Sequence, residues 1–170
     1  LLLADWIDPP LGPMIAVADE SSLHLLEFAD RPALPRELAR LRDGVKGRLG
    51  LGRTAPMDQA EAEMTRYLAG EDACFATPLT LHGTPFTRQV WDALRAIPAG
   101  RTVSYSDLAR IIGRPDATRA VARANGANQI AVMIPCHRVI GANGTLTGYA
   151  GGLERKAWLL DHESRNLKRV

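Results

Sequence analysis

Apolar and polar positions alternate in patterns that name most of the elements of this chain. Met14-Ile15-Ala16-Val17-Ala18 and Leu23-His24-Leu25-Leu26-Glu27-Phe28 read as two short strands joined through Asp19-Glu20-Ser21-Ser22, a hairpin. Helix-favouring residues then run from Arg36 to Leu49 and from Met57 to Leu68, where Gly70 ends the second helix. Phe75 to Leu81 reads as a further strand, with Pro78 placing it at an edge or a break. Thr84-Pro85 is a cap followed by a first-turn proline. Phe86, Val90, Leu94 and Ile97 make one apolar face of the helix behind it, and Pro98-Ala99-Gly100 stops that helix. Ser104 caps the next helix, whose Leu108, Ile111 and Ile112 turn inward before Gly113 breaks it; a third helix spans Ala117 to Ala127. Two short helices around a glycine turn, with Ala109 four residues before Gly113, fit a helix-turn-helix or an ordinary helical corner. There are no internal repeats.

The expected fold is a two-part α/β (α+β) chain. Residues 1–82 form an N-terminal α/β domain around a small antiparallel sheet, and residues 83–170 form a mainly α-helical domain. Charge sharpens that division. Residues 1–82 hold 8 Lys and Arg against 13 Asp and Glu, a net of −5, whereas residues 83–170 hold 13 against 6, a net of +7. The overall +2 hides a basic second half suited to a polyanion. No apolar run is long enough to span a bilayer, and the Leu1-Leu2-Leu3-Ala4 start lacks the basic flank of a secretory signal. The missing initiator Met points to a trimmed chain. Two cysteines make no disulfide framework, which places the protein in the cytoplasm, and Cys74 reads as a small buried hydrophobe.

The densest chemical signal is Pro135-Cys136-His137-Arg138-Val139, directly after the apolar run Ile130 to Ile134. The proline ends the run where a buried segment should meet a pocket. A thiol reacts as its thiolate, scarce at neutral pH for an unperturbed pKa of about 8.5, so a nucleophile wants a base or a cation nearby. His137 and Arg138 are the candidates. A buried structural thiol is the competing reading. The surroundings favour the nucleophile. Ile134 to Gly141, Gly144, Thr147-Gly148-Tyr149-Ala150-Gly151-Gly152-Leu153, Lys156 and Trp158-Leu159-Leu160 resemble the O6-alkylguanine-DNA alkyltransferases, also called methylated-DNA–protein-cysteine methyltransferases. Thr102-Val103-Ser104-Tyr105, Arg119-Ala120-Val121 and Asn128 fall at that family's spacing. The match is detailed over about the last ninety residues and weaker around Pro10-Leu11-Gly12-Pro13.

The resemblance implies direct-reversal DNA repair by a suicide acceptor. The alkyl group of O6-alkylguanine, with O4-alkylthymine as a further lesion of the class, passes to Cys136 after the base is flipped out of the duplex. It implies a ribonuclease-H-like first domain and a winged-helix-like second one. His137 would draw the thiol proton through a water, oriented by Glu163, and Asn128 would tie the recognition helix to the active-site segment. Tyr149 and the backbone N–H of Ala150 would face guanine O6, beside Gly151. The carbonyls of Cys136 and Val139 would take the guanine amino group, with Lys156 near the site. Tyr105 and Arg119 would flip and replace the base, and Ser104, Ala120 and Arg123 would lie along the DNA. Double-stranded DNA would be met in its minor groove by a monomer. The alanines Ala117, Ala120, Ala122, Ala124 and Ala127 cannot read bases by hydrogen bonding, so binding should ignore sequence. No cofactor is implied, and no metal either, because Asp19 and a lone His24 stand where some relatives place zinc ligands. The repair half of a bifunctional damage-response regulator, and a helix-turn-helix protein without chemistry, are the alternatives.

Overall fold

A computed structural model of the chain describes residues 1–167. It is a mixed α/β protein that divides into two compact units, Leu1–His82 and Gly83–Val170. In the first, strands β1 (Leu2–Ile7), β2 (Met14–Ala18), β3 (Leu23–Phe28) and β4 (Leu49–Leu51) form one sheet in the order β3-β2-β1-β4. The expected strands are present as β2 and β3, antiparallel, but the sheet is not wholly antiparallel, since β1 pairs with β4 in parallel. A parallel neighbour needs a crossover, and helix α1 (Leu34–Gly44) supplies it. That helix ends five residues before the expected Leu49, because the chain must turn there, with Lys46 at φ 49°, to enter β4.

Side chains alternate across the sheet. Leu2, Val17 and Leu25 pack with Leu34 and Leu41 of α1 into one buried cluster. Met14 and Ile7, paired across β1 and β2, lie on the opposite face, where Ile7 shares a groove with Met64 and Leu68 of helix α2 (Ala55–Leu68). The stretch Phe75–Leu81 is not a strand. It makes a single bridge, Leu23 to Leu79, with Leu23 N–H donating to Pro78 O at 2.8 Å and Thr80 N–H to Leu23 O at 2.9 Å. Glu63 of α2 holds this segment from below, accepting from the backbone N–H groups of Ala76 and Thr77 at 2.8 and 3.0 Å and from the Thr77 hydroxyl. Cys74 beside it is exposed, not buried. Nor is His24 alone: its Nε2 lies 2.9 Å from Asp19 Oδ2 and its Nδ1 2.8 Å from His82 Nε2.

The second unit is helical. Helix α3 (Pro85–Arg95) is capped by Thr84 Oγ1, which accepts from the Thr87 N–H, and it buries Val90, Trp91 and Leu94. The two-residue strand β5 (Val103–Ser104) leads directly into helix α4 (Tyr105–Ile111). Ser104 and Asp107 form a reciprocal capping box there. The helix ends at Gly113, whose φ of +75° suits glycine, with Gly113 N–H donating to Arg110 O and Arg114 N–H to Ala109 O. Contrary to the periodicity, Ile111 is 60% exposed, and Ala109 takes the inward place beside Leu108. So short a helix offers only its first turns to the core. Helix α5 (Thr118–Gly126) packs on α3 and α4, and the Trp91 indole N–H donates to Ala124 O at 2.9 Å. Strand β6 (Val139–Ile140) pairs with β5 in parallel, and helix α6 (Leu153–His162) runs into a π-helical turn, Glu163–Leu167. Among the described residues no helix is long and apolar enough to cross a membrane.

Candidate active site

Cys136 opens a 3₁₀ turn, Cys136–Arg138, that follows the buried run Ile130 to Ile134. Within that run Val132 is held at φ +69°, a conformation that a β-branched residue rarely adopts. Successive residues of a 3₁₀ turn point about 120° apart, so the thiol, the imidazole and the guanidinium leave the backbone in three directions. Cys136 is 7% exposed. Its carbonyl accepts from Asn125 Nδ2 at 3.4 Å, and its Sγ lies 3.2 Å from Asn128 Nδ2. Asn128 also donates to Ile134 O at 2.8 Å and accepts from the Ile130 N–H at 3.0 Å. One amide therefore fixes both ends of the apolar run and offers an N–H to the sulfur.

His137 is fully buried. Its Nε2 lies 2.8 Å from Glu163 Oε2, and a carboxylate can only accept, so Nε2 carries the proton and Nδ1 the lone pair. Nδ1 is buried without a hydrogen-bond partner. Burial lowers the imidazole pKa; Glu163 opposes that through its hydrogen bond and charge, while the charges of Arg138 and Lys156 add to the fall. Glu163 is buried too, which works against its charge, but hydrogen bonds from His137 and Arg138 more than offset this and hold its carboxyl far below the usual range. Lys156 is buried with Nζ donating at 2.6 Å to both Val139 O and Thr147 O. Burial lowers its pKa, and the Cys136 thiol opposes the fall.

The other predicted site residues fall into two groups. Tyr149 is half-buried with its ring nearly perpendicular to that of His137, centroids 6.4 Å apart, and the Tyr105 hydroxyl donates to Thr147 O at 3.3 Å. Gly151 O accepts from Arg155, and Ala150 is exposed beside it. Arg119 and Arg123 are exposed on α5, with Ala120 half-buried between them and Ser104 engaged as the cap of α4. The Val139 carbonyl already accepts one hydrogen bond, from Lys156, and Ala124, one of the alanines named for sequence-blind binding, is a core residue. Sequence reasoning missed Asn125 altogether, and it named Arg138 as a candidate cation for the thiol. Its guanidinium instead grips Glu163 through Nε at 2.9 Å and Nη2 at 2.7 Å, with Nη1 on Ile97 O.

A buried thiol with an amide donor at its sulfur, followed by a histidine locked to a carboxylate, sits in a chain with many relatives. Residues 85–165 match the family model described as 6-O-methylguanine DNA methyltransferase, DNA binding domain. The methylated-DNA–protein-cysteine methyltransferase of Salmonella typhimurium is 46% identical over 164 residues, 95% of each chain. The chain belongs to the methylated-DNA–protein-cysteine methyltransferase family. Solved methyltransferases agree with its fold: the O6-methylguanine methyltransferase of Mycobacterium tuberculosis superposes with a TM-score of 0.84 at 38% identity, covering 100% of this chain and 97% of that one. A crystal structure of the same organism's protein in complex with DNA gives a TM-score of 0.83 at 39% identity, covering 96% and 94%. Membership in this methyltransferase family accounts for a thiol and an imidazole that a DNA-binding protein without chemistry would leave idle.

Proposed function

We propose that this chain repairs O6-alkylguanine in duplex DNA by moving the alkyl group irreversibly to Cys136. The observation that carries the reading is the polarity of His137, the residue after the cysteine: Nε2–H is committed to Glu163, and Nδ1 is left as a buried lone pair. In the step proposed, Nδ1 accepts the thiol proton across a water and the Asn128 amide N–H steadies the developing thiolate. The sulfur then attacks the O6-bound carbon. A C–S bond forms, the C–O bond breaks, and its electron pair leaves with guanine, to which the imidazolium proton is returned. Tyr149 and the Ala150 N–H are the donors assigned to the departing O6. The Cys136 and Val139 carbonyls are assigned to the base amino group, the second through its remaining lone pair beside Lys156. The product is a thioether, so each molecule acts once.

The family match and the basic second half support DNA as the partner. We assign α4, the Gly113 turn and α5 to a helix-turn-helix in a winged-helix-like alkyl-acceptor domain, residues 83–170, and residues 1–82 to a ribonuclease-H-like α/β domain. In this reading α5 enters the minor groove, Arg119 takes the place of the flipped base, Tyr105 assists its rotation, and Ser104, Ala120 and Arg123 lie along the duplex. The protein works as a monomer in the cytoplasm and needs no cofactor or metal. The test is intact-mass and peptide analysis after mixing with a duplex that contains one O6-methylguanine. One added methyl on the Cys136 peptide is expected, and none on Cys136→Ala. Repair of more than one lesion per molecule refutes the mechanism.

A further inference from the structure

Glu163 has more partners than orientation of an imidazole requires. Its Oε2 receives His137 Nε2 at 2.8 Å and Arg138 Nη2 at 2.7 Å, while Oε1 receives Arg138 Nε at 2.9 Å. The guanidinium is itself buried, and its outer nitrogen is fixed by the Ile97 carbonyl at 2.5 Å. Both charged groups are thus removed from water in a planar, two-point pairing that only arginine can make.

We propose that Arg138 is a positioning residue that sets the basicity of His137: it neutralises Glu163 in place, so that the carboxylate orients the imidazole without keeping it protonated. The argument is one of charge in a closed space. Arg138, Glu163 and a neutral His137 together carry no net charge, and a proton added at Nδ1 leaves an uncompensated positive charge in the interior, which is costly. Remove Arg138 and the same proton cancels the charge of Glu163 and is welcomed. A buried acid beside a histidine without such a partner would make a permanent imidazolium, useless as the acceptor of the thiol proton. The other groups facing His137 do not reverse this: Lys156, from α6, is a further cation, Tyr149 sets its ring perpendicular to the imidazole, and Cys136 is the proton's source. The downward shift of His137 has the expected sign.

The inference rests on His137 serving as the base, but its test does not read alkyl transfer, so failure of the repair reading and failure of this one are separate results. The ring carbons of His137 are followed by NMR against pH in the full chain with Cys136→Ala, where no thiol proton competes. In that parent His137 is neutral at pH 7. Arg138→Gln, which keeps a polar side chain and loses the charge, raises the titration midpoint by at least about one pH unit, tenfold in proton affinity. Arg138→Lys, which loses the fork and keeps the charge, leaves the midpoint near that of the parent. An imidazolium in the parent at pH 7, an unmoved midpoint in Arg138→Gln, or equal shifts in both variants overturns the proposal. Should Arg138→Gln not fold, an imidazolium in the parent at pH 7, or an Arg138→Lys midpoint raised by about one pH unit or more, still overturns the proposal.

Discussion

Asn128 uses every atom of its amide: two donor contacts, to Ile134 O and to the Cys136 sulfur, and one acceptor contact from Ile130 N–H. Asn128→Asp is nearly isosteric yet loses both donors and sets a negative charge beside the thiol. It should cost about 1–3 kcal/mol of stability for the groups left unsatisfied and slow alkyl transfer to a free alkylated base by at least about tenfold. Denaturant midpoints and single-turnover rates measure the two effects, and an unchanged rate with lowered stability would reduce Asn128 to a structural tie. The tie from Asn128 to the active-site segment was legible through the family resemblance, and its contact with the Cys136 sulfur was not, because spacing alone does not say which atom the amide reaches. Nor was the destination of Arg138: its partner Glu163 lies twenty-five residues on, and the direction of each side chain is settled only by the 3₁₀ turn. Cys74 went wrong for a related reason, since nothing local says that the segment after α2 hugs Glu63 and leaves its cysteine outside.

At the level of elements, helix α5 and the cap of α4 carry the DNA hypotheses. Arg119 stands exposed on α5. Arg119→Ala should lower the repair rate on duplex DNA far more than on the free base, because only the duplex must be unstacked, at a few kcal/mol; equal losses on the two substrates would remove the role assigned to it. Ser104 already caps α4, so Ser104→Ala should cost about 1 kcal/mol of stability, read by chemical denaturation, before any effect on DNA. The helix boundaries were legible where capping chemistry is explicit, as at Thr84-Pro85 and Ser104. Strands β2 and β3 were legible because they are buried along their lengths. Strands β1 and β4 were not. β1 mixes buried Leu2 and Ile7 with half-buried Leu3, Ala4 and Asp5 and an exposed Trp6, and β4 is three residues around a glycine, so neither carries a period.

For the molecule as a whole, charge and acidity make separable predictions. The basic residues of 83–170 should displace counterions from phosphate, so affinity for undamaged duplex should fall steeply with salt and barely vary between two unrelated sequences. A salt-insensitive affinity, or strong preference for one undamaged sequence, would favour a regulator. Stability should fall with acid in two stages. Burial lowers the pKa of His137 and of His82, so their contribution is complete above the ordinary value of 6.5 and is lost as pH falls below it. Glu63 and Glu163 are buried, but their hydrogen bonds prevail and lower both pKa values, so their contribution is present above the ordinary 4.5 and is lost below it. Thermal melts between pH 8 and 3 follow both, and Glu63→Gln should flatten the lower stage.

The bond from the Trp91 indole to the Ala124 carbonyl turns helix α5 into an optical element. Indole emission depends on the polarity and hydrogen bonding around its nitrogen, and Trp91 is almost wholly shielded while Trp6 and Trp158 are exposed. With those two replaced by phenylalanine, the remaining fluorophore reads a single contact at the end of α5. Any displacement of that helix, on a duplex or after Cys136 has been alkylated, would register as a change in colour and lifetime without a label on either partner.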